Sequence, residues 1–162
     1  PSVFEIQQFE YLQNHLRILS AFYGVLKPMD GVTPYRLEMQ AKAEIEEKTN
    51  LYDYWGDRLY HSVIDDSRTI INLASKEYSK CIERYLSDKD NYITITFCEL
   101  SGDKLVTKGT YAKMARGEMV RFMAENNIEN PVDIQKFDRL GYIFRGDLSS
   151  ETEYVFERKI IK

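Results

Sequence analysis

Residues 15–39 read HLRILSAFYGVLKPMDGVTPYRLEM, and this stretch passes from an amphipathic segment through a Gly- and Pro-rich loop into an alternating segment. The first part belongs to a predicted helix whose apolar residues recur at helical spacing: Ile6, Phe9, Leu12, Leu16, Leu19 and Tyr23. Ser2 and Glu5 have the spacing of a capping box at its start. Gly24 and Pro28 predict its end, since both residues interrupt helices.

The alternating segment begins at Arg36. Polar Arg36, Glu38, Gln40 and Lys42 alternate there with apolar Leu37, Met39, Ala41 and Ala43. This period of two predicts a half-buried strand, although several of these residues are good helix formers. On a strand, Arg36 and Glu38 would point to the same face, roughly 7 Å apart. Such a pair can hold a polar ligand or form a structural ion pair.

Length and composition restrict the class of protein. The chain has 162 residues, of which 43% are hydrophobic and 30% charged, so it is predicted to fold as a single globular domain over residues 1–162. No apolar run approaches the ~20 residues of a membrane span, which predicts no membrane partner. Cys81 and Cys98 do not make a disulfide framework, and a reducing cytoplasm is the expected compartment.

The remaining periodicities predict an α/β fold with a mixed sheet and a β-hairpin flanked by helices. The predicted helices cover residues 51–64, a segment that follows Ser75, 111–127 capped by Thr110, and a short one from Asn130 to Phe137. Tyr111, Ala115, Met119 and Phe122 are the predicted core face of the third helix. The predicted strands cover residues 69–73, buried on both faces, and two hairpins, 91–99 with 105–108 and 142–145 with 153–159.

Several of these segments carry a resemblance. HLRILSxFYGVLKPxD and PYRLEM in the first stretch resemble the bacterial peroxide stress protein family YaaA. The likeness continues through LYDYWGD at 51–57, INLASKEY at 71–78, YAKMARG at 111–117, GYIF at 141–144 and YVFER at 154–158. The resemblance implies a cytoplasmic bacterial protein of the peroxide stress response. It further implies a protein that lowers free intracellular iron, and so limits Fenton damage, and that binds duplex or distorted DNA through a positive cleft.

The resemblance also bears on the extent of the chain. Members of the family begin with a short strand and a Pro-Ala-Lys-type motif, whereas this sequence begins at Pro1 without an initiator Met. It is therefore expected to be the C-terminal part of a YaaA-like protein. A DNA-binding hairpin of two short helices needs glycines in its turn, and the link at 127–131 has none. That hairpin is expected in the N-terminal segment.

The charge distribution suggests where DNA would bind. The formal net charge is −4, but residues 104–121 hold five cations, Lys104, Lys108, Lys113, Arg116 and Arg121, against Glu118 alone, which is +4. Lys113 and Arg116 are neighbours on a helix, three residues apart. Lys108, Lys113, Arg116 and Arg36 are the predicted DNA- or phosphate-binding residues. The alternative is a solvated basic edge, with Gly117 permitting close helix packing.

A second candidate site is polar and is assembled from several loops. Its predicted members are Arg36, Glu38, Trp55, Asp57, Asn72 and Ser75. Ser75 begins a helix after a strand, where anions are favoured. The rival function is an enzyme acting on a nucleotide-like or phosphorylated small molecule, with Glu38 or Asp57 as general acid or base. In the plainer interpretation, Ser75 is an N-cap, Asn72 a turn residue and Arg36–Glu38 an ion pair.

No metal site or cofactor is predicted. His15 and His61 are isolated, and no Cys–His spacing matches a zinc pattern. Cys81 and Cys98 are interpreted as buried small hydrophobes rather than redox sensors. The sequence indicates neither the ligand nor the oligomeric state.

Overall fold

The structure is a computed structural model that describes residues 4–45, 47–101 and 104–159. The chain divides into two compact units. The central unit is Leu12–Tyr92, and the terminal unit combines Pro1–Tyr11 with Ile93–Lys162. Ser2 of the predicted capping box lies outside the described residues, and the single domain over residues 1–162 stays a prediction.

The first helix is shorter than predicted. Helix α1 is Ile6–His15, and the chain then forms an antiparallel hairpin of β1 (Ile18–Ser20) and β2 (Gly24–Leu26). The prediction that the helix continues to Tyr23 is wrong. The Ser20 hydroxyl accepts hydrogen bonds from the backbone N–H groups of Phe22 and Tyr23 at 3.2 and 2.9 Å. These bonds form a turn that competes with the helix.

The segment from Arg36 to Ala43 is irregular, so the predicted strand is wrong. Its backbone N–H groups form hydrogen bonds that are not those of a strand. The Ala41 N–H donates to the Glu38 carbonyl, and the Gln40 N–H donates to the Glu77 carboxylate. The alternation still predicts burial correctly, because Met39 is fully buried and Leu37, Ala41 and Ala43 pack against the core while the polar residues are exposed. The periodicity therefore predicts which side chains point inward, but it does not predict the hydrogen bonding of the backbone.

The predicted helix over residues 51–64 is divided in two. Helix α2 (Leu51–Trp55) ends at Gly56, whose φ is +54°, and α3 (Arg58–Val63) follows Asp57. A left-handed φ favours glycine and breaks the helix. Strand β3 (Thr69–Asn72) follows a turn in which Asp65 accepts from the Ser67 N–H. Only Asn72 of this strand is buried, so the prediction of a strand buried on both faces is wrong.

Helix α4 (Lys76–Glu83) completes the helices of the central unit and begins after Ser75, as predicted. The side chains of this core come from the helices, the turn of the first hairpin and the irregular segment. Its buried members are Ala21, Met39, Leu51, Leu59, Tyr60, Cys81 and Ile82. The irregular segment is therefore fixed by packing, since Met39 is its fully buried anchor.

The terminal unit is built on a mixed sheet. Strand β4 (Asn91–Ser101) pairs antiparallel with β5 (Lys104–Val106) and parallel with β7 (Glu153–Arg158), while β6 (Tyr142–Phe144) pairs antiparallel with β7. Both hairpins and the mixed α/β class are confirmed. The turn residues 102 and 103 lie outside the described part of the chain.

Helix α5 (Gly109–Glu125) is the long helix of the terminal unit. It begins two residues earlier than predicted, with Lys108 rather than Thr110 at the N-cap. Tyr111 is 41% exposed, so its assignment to the core face is wrong, and Ala112 is buried instead. The predicted short helix is a 3-10 helix, Pro131–Lys136, in which the Asn130 side chain accepts from the Val132 N–H at 3.0 Å.

Among the described helices, none combines the length and the apolar character that crossing a membrane requires.

Candidate functional site

The predicted site residues divide between the two units. The central unit holds Arg36, Glu38, Trp55, Asp57, Asn72 and Ser75, and the terminal unit holds Lys108, Lys113 and Arg116.

Arg36 and Glu38 line one open depression of the central unit, together with Leu37 and Ala41. The depression has a volume of about 290 Å³. Both charged side chains are exposed, and the structural ion pair between them is not observed. Neither side chain makes a hydrogen bond or an ion pair with any other residue that the structure describes. Two opposite charges thus face solvent along the same small surface.

The first turn of α4 lies beside this segment. The Glu77 carboxylate accepts from the Gln40 N–H at 3.2 Å. Burial raises the pKa of the Tyr78 hydroxyl, and the nearby charges of Glu77 and Glu38 add to that effect. A hydrogen bond with the Met39 backbone acts in the opposite direction and places the Tyr78 hydroxyl at the irregular segment.

Three aromatic rings stand next to the irregular segment, and the sequence analysis did not identify them as a cluster. Phe22 and Tyr35 have ring centroids 5.3 Å apart, and Tyr23 lies 4.9 Å from Phe22 and 5.6 Å from Tyr35. The Ser20 and Tyr35 hydroxyls are 2.5 Å apart. Phe22 is 57% exposed and Tyr35 is 42% exposed. The sequence signal that could have revealed them is the Phe-Tyr pair at a turn followed by Pro34-Tyr35.

Trp55 is held in a structural role. Its indole N–H donates to the Ala21 carbonyl at 2.9 Å, and the Arg58 guanidinium lies 5.2 Å from the ring centroid. Gly24 leaves the space that the ring occupies, since an added Cβ there would come within 2.9 Å of it. These contacts anchor the first hairpin to α2.

The other polar candidates of the central unit do not join Arg36 and Glu38. Asp57 is exposed and contacts His61 at 3.4 Å between Oδ2 and Nε2. Asn72 is buried, and its side-chain oxygen accepts from the Ala74 N–H at 3.0 Å, which is the geometry of a turn residue. Ser75 is the N-cap of α4 but makes no side-chain capping bond. The residues that line the depression do not include these three.

In the terminal unit, Lys108 is neutralised by a buried carboxylate. The Lys108 ammonium forms an ion pair with Glu99, whose side chain is 2% exposed, and the Arg158 guanidinium lies 3.7 Å from the same carboxylate. Arg158 also stacks on the Tyr111 ring at 3.9 Å from the centroid. This cluster was missed in the sequence analysis. Glu99 continues the inward series of Ile93, Ile95 and Phe97, and that position could have indicated a buried charge that needs partners.

The acidic side chains of α5 are paired along one edge of the helix. Glu118 lies 3.4 Å from Arg139, and Glu125 forms ion pairs with both Arg139 and Arg121, the latter at 2.7 Å. The hydrogen bonds and charge of the two arginines hold the pKa of Glu125 below its usual range. Both carboxylates of α5 therefore form ion pairs with arginine side chains on that edge of the helix.

Lys113 and Arg116 occupy a different edge of α5 and have no acidic partner among the described residues. Lys113 is exposed, and Arg116 is half-buried. The Nε of Arg116 is shielded from solvent without an acceptor, and burial lowers the pKa of the guanidinium. Gly117, the next residue, is exposed, and a Cβ there would meet nothing within 4 Å. Gly117 therefore does not mediate close helix packing, and the helix surface at this point is open.

Comparison with known proteins identifies the chain. Residues 1–148 match the model of a family described as "Peroxide stress protein YaaA". The chain belongs to this family. The resemblance carried by the sequence motifs is thus confirmed.

Related YaaA-family chains are named UPF0246 proteins. One from Agathobacter rectalis is 82% identical over 160 residues, which cover 99% of this chain and 64% of the relative. One from Lachnoclostridium phytofermentans is 55% identical over 156 residues, covering 96% of this chain and 61% of the relative. A third, from Desulfitobacterium hafniense, is 54% identical and is covered over 62% of its length. The chain therefore spans a little under two thirds of these relatives.

In a YaaA-family protein, the groups to consider are those that could react with peroxide or bind a metal ion. Cys81 and Cys98 are both free and buried, at 3% and 4% exposure, as predicted. Burial raises the pKa of Cys81 to about 11 and also raises the pKa of Cys98. Within the described residues, no group of three or more His, Cys, Asp or Glu side chains has an arrangement that could hold a metal ion.

We expect Cys81 of this YaaA-family protein to be unreactive in the native state. At pH 8 a thiol with a pKa of about 11 is about 0.1% thiolate, whereas an ordinary thiol is about 25% thiolate, so alkylation should be roughly 100-fold slower or more. The rate should rise as the pH approaches 11. Mass spectrometry after iodoacetamide treatment measures it, with the guanidinium-unfolded chain as control. Native labelling at the unfolded rate would contradict this expectation.

Proposed function

We propose that this protein protects DNA during peroxide stress by binding the phosphate backbone of duplex or distorted DNA through Lys113 and Arg116 on α5. The observation that carries the proposal is a pair of neighbouring cations without acidic partners in the described chain, on a helix whose carboxylates are paired elsewhere. Lowering of free intracellular iron is proposed with it on the family resemblance alone. The cytoplasm, where bacterial DNA lies, is the proposed compartment.

The state of Arg116 supports a phosphate ligand. Its Nε is shielded from water and has no acceptor among the described residues, which is a costly arrangement for a polar group. A phosphate oxygen at the exposed part of the guanidinium would supply an opposite charge and a strong acceptor for the group. Arginine binds phosphate with a planar set of donors, so the half-buried guanidinium is preorganised for this contact.

Lys113 and Gly117 support contact with an extended anion rather than a single buried ion. Lys113 is exposed three residues before Arg116, so the two cations are neighbours along the helix surface. Gly117 presents no side chain between them and solvent. A DNA backbone could therefore approach the helix closely. Lys108 is a weaker contributor, because Glu99 already neutralises it, and Arg36 is an exposed cation of the central unit.

The test is a salt titration of binding to labelled duplex DNA and to the same duplex with an internal bubble. The Lys113→Gln/Arg116→Gln variant should bind at least about tenfold more weakly at fixed salt. Its plot of log K against log salt should be shallower by up to about 1.8, because two phosphate contacts are lost and each contributes about 0.9. Fluorescence anisotropy measures both quantities.

Lys76→Gln/Lys80→Gln is the matched control, since it removes two exposed cations from one face of α4. It should leave affinity and salt slope nearly unchanged. Equal losses in the two variants would mean that only net charge matters, and unchanged binding by the α5 variant would reject the proposed surface. Circular dichroism must show the same helix content for all three proteins.

A further inference from the structure

The depression of the central unit contains two side chains of opposite charge that do not neutralise each other. Arg36 and Glu38 are two residues apart, both line the depression, and no ion pair within 4.0 Å joins them or engages either with another described residue. An arginine only donates hydrogen bonds, and an ionised glutamate only accepts them. The surface therefore has one place for an anion and a second place for a hydrogen-bond donor.

Between these two charges the depression is apolar. Leu37 and Ala41 complete its lining, and both pack against the buried core of the unit. Met39, fully buried between them in sequence, fixes this part of the backbone. The volume of about 290 Å³ is close to the lower end of the range for small-molecule sites, roughly 300 Å³. The lining thus suits a small ligand with an apolar middle and two polar ends.

An exposed aromatic ring lies immediately before Arg36 in the chain. Tyr35 is 42% exposed, and its hydroxyl is held by Ser20. Its ring packs against Phe22 at 5.3 Å, which is itself exposed. A ring fixed at its hydroxyl and on one side loses little freedom when a planar group stacks on it. Such rings favour a planar aromatic ligand over a flexible aliphatic one.

We propose that this depression binds a nucleoside monophosphate whose base carries an exocyclic amino group. The Arg36 guanidinium binds the phosphate, and the Glu38 carboxylate accepts a hydrogen bond from the amino group. The base and sugar cover Leu37 and Ala41, beside Tyr35. This site lies in the central unit and does not depend on the DNA contact proposed for α5.

The amino group is the discriminating feature, because Glu38 can only accept. A base with a hydrogen atom in place of the amino group offers the carboxylate no donor, and the hydrogen bond is lost. Adenosine monophosphate and purine riboside monophosphate differ only in this way, at position 6 of the base. The difference in affinity between these two nucleotides therefore tests the hydrogen bond to Glu38. Adenosine lacks the phosphate, so its affinity tests the contact with Arg36.

The experiment titrates the 162-residue chain with adenosine monophosphate, purine riboside monophosphate and adenosine, using backbone amide NMR shifts and calorimetry. Adenosine monophosphate should shift amides over residues 35–41 and bind about tenfold more tightly than either analogue, as expected for one hydrogen bond to a charged group. Arg36→Gln should weaken the monophosphate about tenfold and leave adenosine unchanged. Glu38→Gln should bring the two monophosphates to within about threefold of each other, since a hydrogen bond to a neutral amide contributes less than one to a carboxylate.

Lys42→Gln/Glu44→Gln is the matched control, because it removes a second exposed pair of opposite charges with the same spacing from the same segment. It should bind like the wild type. Equal affinity of the wild type for the two monophosphates would overturn the role of Glu38, and equal affinity for adenosine would overturn that of Arg36. Absence of amide shifts over residues 35–41 at millimolar ligand, or equal losses in the control, would overturn the site itself.

Discussion

Gly24→Ala is expected to lower the free energy of unfolding of the central unit by about 2–5 kcal/mol. Gly24 has φ of +82°, a conformation that costs a residue with a Cβ about 1–2 kcal/mol. The new methyl group would also lie 2.9 Å from Cη2 and 3.0 Å from Cζ3 of Trp55. The ring cannot move away easily, because its N–H is bonded to Ala21, and overpacking of this kind costs about 1–3 kcal/mol.

Gly31→Ala is the matched control, in the loop that follows β2. An added Cβ at Gly31 meets nothing within 4 Å, and its φ is outside the left-handed region, so its effect should stay within about 0.5 kcal/mol. Urea denaturation followed by the fluorescence of Trp55, the single tryptophan, measures both variants. Equal stability of the two alanine variants would contradict the described hairpin, because it would mean that the Gly24 backbone tolerates a side chain.

Phe156→Ala is expected to destabilise the terminal unit by about 3–5 kcal/mol. Phe156 is 0% exposed, and its ring lies 5.6, 5.7 and 5.6 Å from the rings of Phe97, Phe137 and Phe144. Truncation removes the ring from the centre of this group and leaves a cavity that the mixed sheet cannot close. Thermal denaturation followed by near-ultraviolet circular dichroism, which reports on packed aromatic rings, measures the loss.

Val132→Ala provides the comparison for Phe156→Ala, since it shortens a side chain of the same unit that is 57% exposed. Its effect should be below about 0.5 kcal/mol. If Phe156→Ala were as mild, the ring would not be part of a packed core. Amide hydrogen exchange locates the loss, because protection should fall in β4 and β7, the strands that carry Phe97 and Phe156.

Much of the terminal unit could be predicted from local patterns. The alternation from Ile93 to Phe97 identified β4, and Asn130 with Pro131 identified the start of the 3-10 helix. These signals are strong because the hydrogen-bonding partner is near in sequence or the cap is local. The parallel pairing of β4 with β7 could not be predicted, because no local pattern records which distant strand a strand will meet.

Two of the errors in the central unit have a common cause. Apolar residues at 16, 19 and 23 fit a helix, and those at 37, 39 and 41 fit a strand, yet neither element forms. In both places side chains take the backbone hydrogen bonds that the regular element would need: Ser20 at the first hairpin and Glu77 at the irregular segment. Periodicity encodes burial, and the competing polar contacts depend on the tertiary structure.

The candidate sites were predictable as residue types but not as arrangements. The sequence indicated Lys113 and Arg116 as neighbours, which follows from helical spacing alone. It could not indicate that Lys108 is neutralised, because its partner Glu99 and the second cation Arg158 come from different strands. Likewise, Arg36 and Glu38 were expected on a strand, and their common depression comes from an irregular backbone held by Met39.

The parallel pairing of β4 with β7 has a consequence for synthesis on the ribosome. Thr94 pairs with Glu153, and Tyr11, near the start of the chain, donates a hydrogen bond to the Ile128 carbonyl at 2.7 Å. The residues of the terminal unit that emerge first must therefore wait for those that emerge last. During that interval β4 exposes an unpaired backbone edge and its apolar side chains, and surfaces of this kind make a nascent chain prone to aggregation. The central unit, whose residues are contiguous, has its whole sequence available long before.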